Sequence, residues 1–133
     1  MTTDRFGNEF APELPLVRGD RIELQQVLLN LVTNGADAMR ATNGSHTLLV
    51  TAQRYAPEPD AFLCVSVRDS GIGIRPEALE HIFTAFYTTK PQGMGLGLAI
   101  SRTIVQAHGG LLWAEVNNDG PGATFHFTLP AAA

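Results

Sequence analysis

Cysteine is nearly missing from this sequence. Cys64 stands alone, so an internal disulfide framework is impossible, and the usage fits a reducing compartment. No apolar run approaches the roughly 18 residues that a membrane span requires, and no charged-then-apolar leader opens the chain. Basic residues are outnumbered, 9 Lys and Arg against 13 Asp and Glu for a net charge of −4, and they form no cluster. That balance argues against nucleic acid or an anionic membrane as the main partner. Low-complexity tracts are absent too. What is left is an ordinary globular composition, 44% hydrophobic over 133 residues. The length suits one domain, 1–133, with a single two-layer core. The reading is of a soluble, cytoplasmic chain making no membrane contact itself, with a membrane-anchored parent protein left open.

Met1 to Ala11 is polar and without a sustained period, so residues 1–13 read as a lead-in, with a short extended piece around Pro12 and Pro15 reaching Arg18. Asp20 and Glu23 have the spacing of a capping box, in which Asp20 accepts a first-turn N–H and Glu23 reaches back to the Asp20 N–H. From Arg21 to about Ala41, Leu24, Val27, Leu28, Leu31, Gly35, Ala38 and Met39 share one arc of a helix. A second arc of about 60° carries Glu23, Gln26, Asn30, Asn34 and Asp37. Asn30 and Asn34 are an i,i+4 pair, so their amides sit one above the other. Asparagine is a poor mid-helix residue, which makes this an unusual face for solubility alone.

Asn43-Gly44-Ser45 reads as a turn, and Thr47–Arg54 and Ala61–Asp69 as paired strands. Leu63, Val65, Val67 and Asp69 fall on one strand face, which turns a carboxylate toward the buried layer, where it needs a partner or a ligand. Ser70-Gly71-Ile72-Gly73 follows at once. A short helix is expected from Pro76 to about Phe83, then an aromatic and hydroxyl-rich stretch ending in Thr88-Thr89-Lys90. Gly93, Gly95 and Gly97 lead into a second helix that runs from Met94 or Gly95 to His108 and stops at Gly109-Gly110. Such a helix start offers unpaired N–H groups to phosphate. Leu111–Val116 and Ala123–Leu129 form the last strand pair, and residues 131–133 a tail. The order of elements predicts an α+β two-layer sandwich, a mixed sheet with helices on one face.

Together these pieces supply what a nucleotide needs. A carboxylate accepts from an exocyclic amine, neutral amide oxygens suit Mg²⁺ shared with phosphate, and backbone N–H groups with a lysine neutralise phosphate charge. In this order the motifs closely resemble sensor histidine kinases of two-component systems. Leu24 to Ala38 is similar to their N box, Asp69 to Gly73 to the G1 box, Ile82 to Lys90 to the F box, Gly93 to Ile100 to the G2 box, and Gly120 to Phe125 to the last glycine motif. The match spans about Leu14 to Pro130.

The resemblance implies the Bergerat ATP-binding sandwich of the GHKL superfamily, with ATP and Mg²⁺ as cofactors. It makes Asn34 the principal Mg²⁺ ligand and Asn30 a second contact to metal or phosphate. Asp69 takes the adenine N6 amine, Gly73 gives close access to the base, and Thr124 lies near it. Gly93, Gly95 and Gly97 wrap the phosphates, and Lys90 is the candidate for the γ-phosphate. Asp37, Gly71, Thr88, Thr89 and Leu98 complete the cofactor-binding set. Asn30 also stands where related ATPases carry a water-activating glutamate, and an amide cannot serve as that base, so transfer is favoured over hydrolysis. Gly35 replaces the family's usual alanine, at an expected cost in helix stability. The family's phosphoacceptor histidine precedes Glu or Asp, whereas His46, His81, His108 and His126 precede Thr47, Ile82, Gly109 and Phe127. The acceptor is therefore expected on a separate dimerisation domain, with a response regulator downstream. His108, at a helix C-terminus, reads as a dipole or packing residue. The alternatives are a nucleotide-sensing module without transfer, and a serine kinase or ATPase of the same superfamily.

Overall fold

The computed structural model describes residues 4–40, 42–55, 61–84 and 96–132. Five strands form one mixed sheet in the order β1-β2-β3-β5-β4: β1 Asp4–Phe10, β2 His46–Tyr55, β3 Phe62–Asp69, β4 Leu112–Val116 and β5 Ala123–Pro130. Helices α1, Arg21–Arg40, and α2, Gly97–Ala107, cover one face. Among the described strands only β1 and β2 run parallel, with Phe6 opposite Leu48 and Phe10 opposite Ala52. A parallel pair needs a crossover. Here α1 is that crossover, and it is thereby laid across the sheet.

The two-layer sandwich expected from the element order is the one observed. Val27, Leu31 and Met39 of α1 and Val105 of α2 close over Leu48, Val50, Val67, Phe125, Phe127 and Leu129. The face of β3 is as its alternation required, with Val67 and Asp69 both buried. Leu28 lies at the rim of the helix's apolar arc and is 36% exposed. After α2, Gly109 N–H donates to the Gln106 carbonyl and Gly110 N–H to Val105, the paired bonds of a Schellman stop.

Three expectations change. The lead-in contains strand β1, whose residues 5–10 are exposed or at best half-buried. An edge strand held by backbone bonds to one neighbour buries little, so it leaves no apolar period to read. The short helix after Pro76 is a 3-10 turn, Pro76–Ala78, followed by further turns. About eight residues cannot sustain a helix alone, and the local chain bends instead to bring Phe83 edge-on to Phe125 at 6.2 Å, with the Arg102 guanidinium 5.5 Å above the Phe83 ring. At the other end Ala131 is no loose tail, since it bridges to Val17 and donates to the Ala61 carbonyl.

The helix-free face carries its own polar cluster. Ser66 Oγ lies 2.6 Å from His126 Nδ1, and the Trp113 indole stacks on the His126 ring at 5.1 Å. Burial lowers the His126 pKa below its ordinary 6.5, opposed by Glu115, whose Oε1 is 3.8 Å from Nε2. The folded state therefore binds fewer protons than the unfolded chain as the pH drops below 6.5, and stability falls in that window. Acidification from about pH 7.5 to about pH 5.5 should lower the unfolding temperature, and His126→Gln should flatten the slope. Calorimetry checks this; an unchanged slope in the variant would assign the loss to other groups.

Candidate functional site

Asp69 ends β3 with its side chain turned under the helices, 3% exposed. Its Oδ1 accepts the Gly71 N–H at 2.8 Å and the Ala123 N–H at 3.3 Å, so one oxygen fastens the turn after β3 to the start of β5. Burial pushes the carboxyl pKa up, and the two backbone bonds and Arg68 pull it back. Oδ2 points toward α1, where a Cβ added to Gly35 would stand 3.7 Å from it and 2.8 Å from Leu48 Cδ1. Gly35 thus has a packing role beside the carboxylate, in addition to its effect on the helix.

The approach of β5 depends on Gly122, whose φ is +101° and where a Cβ would stand 2.1 Å from the Asp69 carbonyl oxygen. No side chain fits there. Gly71 packs on the Ala38 backbone, and Ile72 N–H donates to the Ala38 carbonyl at 3.3 Å. Gly73 lies against Gly122. The turn after β3 is therefore pressed between α1 and the β4–β5 hairpin, as the sequence motifs require.

Further along α1, both donors and one acceptor position of Asn30 are engaged. Its Nδ2 donates to the Gly97 carbonyl at 3.2 Å and to Ser101 Oγ at 3.0 Å, while Oδ1 accepts from Gln26 Nε2 at 3.0 Å. Ser101 is wholly buried. The Asn30 amide thus binds α1 to the first turn of α2, where Gly97 and Leu98 stand, and retains one lone pair on Oδ1. Asn34 lies one turn on and is half-buried. Asp37 pairs with Arg40 at 2.9 Å.

Thr124 is not brought to this site. Strand pairing sets it opposite Arg68, on the helix-free face, while Asp69 shares the other face with Val67 and Phe125. Its Oγ1 donates instead to Asn117 Oδ1 at 2.6 Å, and Asn117 Nδ2 donates to the carbonyls of Asp69 and Pro121. The residue beside the carboxylate is Ala123, through its backbone N–H. A one-residue step along a strand reverses the face, and the motif spacing alone left that parity open. Asn117 and Ser101 were overlooked. A polar residue at a buried position of α2 was the available signal for Ser101. Lys90, Thr88, Thr89, Gly93 and Gly95 lie outside the described residues. Two open surface hollows, of about 520 Å³ beside Asp20 to Gln25 and about 250 Å³ beside Leu96 to Ile104, lie away from Asp69.

A buried carboxylate between glycine turns, below an asparagine-bearing helix, is the arrangement that the family comparison decides. Residues 19–133 match the family model described as histidine kinase-, DNA gyrase B- and HSP90-like ATPase. The chain belongs to that family. It is 48% identical over 121 residues to the sensor protein FixL of Bradyrhizobium diazoefficiens, covering 91% of this chain and 23% of that one. Against the sensor histidine kinase ZraS of Escherichia coli the identity is 41% over 117 residues, 88% of this chain and 23% of the other. Among solved structures, the catalytic domain of histidine kinase ThkA superposes with a TM-score of 0.79 at 36% identity, over 98% of this chain and 82% of that one. Full-length ShkA in complex with AMPPNP gives 0.80 at 33% identity, over 98% of this chain and 26% of that one. The chain spans about a quarter or less of the length of these curated sensor proteins. The fold is the Bergerat α/β fold of histidine kinase catalytic domains.

Asn117 Nδ2 donates to both the Asp69 and the Pro121 carbonyls, so truncating the side chain removes two bonds. Asn117→Ala should lower stability by about 1–3 kcal/mol and speed amide exchange at Gly122 and Ala123. Unchanged exchange there would show that the hairpin holds the Asp69 main chain by other means.

Proposed function

We propose that this domain binds Mg-ATP and donates the γ-phosphoryl group to a histidine carried on a separate dimerisation domain. The observation that carries the reading is Asp69, a carboxylate 3% exposed whose Oδ1 is held by two backbone N–H groups while Oδ2 faces the Gly35 side of α1. An acceptor fixed this way in a low-dielectric recess takes an amine N–H and rejects a carbonyl, which separates adenine from guanine. The complex of a related kinase with AMPPNP supports the same ligand class.

The donor set fits a hard cation. Asn34 and the remaining Oδ1 lone pair of Asn30 are neutral oxygen donors, to which phosphate oxygens would add charge. The amide pair is assigned to the metal from the motif resemblance. When bound, Mg²⁺ would be held by Asn34 and Asn30 and would supply positive charge against the phosphates. The chain's own residues do the rest. Asp69 orients the base, and Gly71 and Gly73 leave room beside it. Asn30 fixes the start of α2, where Gly97 and Leu98 present backbone N–H groups to phosphate. Gly93, Gly95, Thr88, Thr89 and Lys90 are assigned to the phosphate end from the motif resemblance, with Lys90 as the charge nearest the γ-phosphate. Asp37 sits at the margin through its pair with Arg40. With an amide at position 30 no carboxylate base activates water there, so hydrolysis is slow and transfer to histidine is favoured. A response regulator is the downstream acceptor.

Incubation with γ-labelled ATP should leave the domain unlabelled, and adding the histidine-bearing domain of the parent kinase should give acid-labile label on that domain alone. Acid-labile label on this domain would place the acceptor here. Absence of transfer despite tight ATP binding would favour a nucleotide-sensing module instead.

A further inference from the structure

His108 carries two directional bonds that neither a dipole role nor simple packing requires. Its Nδ1 lies 2.8 Å from the Ile104 carbonyl, which only accepts, so Nδ1 carries the proton. Its Nε2 then accepts the Asp20 N–H at 3.0 Å. Asp20 is the N-cap of α1, with Oδ1 accepting the Ile22 and Glu23 N–H groups at 2.9 and 3.0 Å. The capping-box expectation gave the Asp20 N–H to Glu23. The imidazole takes it instead, from the far end of α2. Gly19 permits the approach, since a Cβ there would stand 2.6 Å from His108 Cδ2 and 2.8 Å from Leu24 Cδ1.

The N-cap of α1, Asp20, meets the C-cap of α2, His108, and residue 30 of α1 meets residues 97 and 101 of α2. The helices are therefore antiparallel and clamped at two points, about ten residues or 15 Å apart along α1. Between the clamps lie the buried side chains of Val27 and Val105. A short helix of 11 residues pinned at its C-terminal end has its axis fixed relative to α1. That axis decides where its first turn meets the Asn30 amide.

We propose that His108 is a positioning residue: by tying the end of α2 to the N-cap of α1, it sets the contact between Asn30 and the first turn of α2. The consequence for nucleotide affinity rests on the function proposed above, whereas the contact itself does not. Two variants separate the bond from bulk. His108→Ala deletes the acceptor, and His108→Gln places an amide oxygen near the Nε2 position. Gly19→Ala leaves His108 in place but drives the ring away.

The first readout is proton exchange of the Asn30 side-chain NH₂, measured by NMR on the nucleotide-free domain well below its unfolding temperature. Exchange should be about tenfold faster in His108→Ala and Gly19→Ala, and close to wild type in His108→Gln. The second readout is affinity for a fluorescent ATP analogue, which should weaken about tenfold in the same two variants and recover in the glutamine variant. A lowered unfolding temperature with unchanged Asn30 exchange would overturn the proposal and leave His108 a purely structural residue. Equal effects of alanine and glutamine would overturn it as well. Failure of the wild-type domain to bind the analogue would contradict the nucleotide reading, while the exchange rates still decide the role of His108.

Discussion

A single carboxylate holds three parts of this molecule together. Asp69 Oδ1 bonds the turn after β3 and the start of β5, its carbonyl is held by Asn117, and its Oδ2 side faces Gly35 of α1. A charged group buried this deeply is costly unless its bonds are made. The surrounding backbone is arranged to make them. Gly122 has no side chain because the Asp69 carbonyl occupies that space, and Gly71 is bare because the Ala38 backbone does. Gly122 is thus a consequence of where Asp69 sits, and Gly71 of how closely the turn lies on α1.

The second organising contact is the antiparallel pair of helices. Asn30 serves two demands with one amide: both hydrogens of its Nδ2 go to α2, and its oxygen accepts from Gln26 with one lone pair left over. A phosphate site at the start of α2 and a metal site on α1 would thus be mechanically joined through one side chain. An aspartate there would lose the donors to Gly97 and Ser101, which gives a structural reason for an amide at position 30.

The sequence made α1, α2 and strands β2 to β5 legible because each buries a periodic apolar face against the same core. Asp69 was legible for the same reason: alternation with Val65 and Val67 fixed its side of β3. Strand β1 was hidden because it buries almost nothing and is held by backbone bonds, which have no side-chain signature. Thr124 was misplaced by one step of parity, since glycine motifs locate a turn without fixing which face the next residue takes. His108 was seen only as a helix end. Its partner, the Asp20 N–H, is 88 residues away and belongs to the backbone, so no local pattern could announce it.

The central claim is that Asp69 selects an adenine nucleotide. Asparagine in its place keeps the Oδ1 acceptor for Gly71 and Ala123 and replaces the other oxygen with a donor, so the fold should persist. The direct measurement is the affinity of wild type and Asp69→Asn for ATP and GTP with Mg²⁺. The account predicts a loss of ATP affinity of at least about tenfold with little loss, or a gain, for GTP. An equal loss for both nucleotides, in a variant that unfolds at the wild-type temperature, would contradict it.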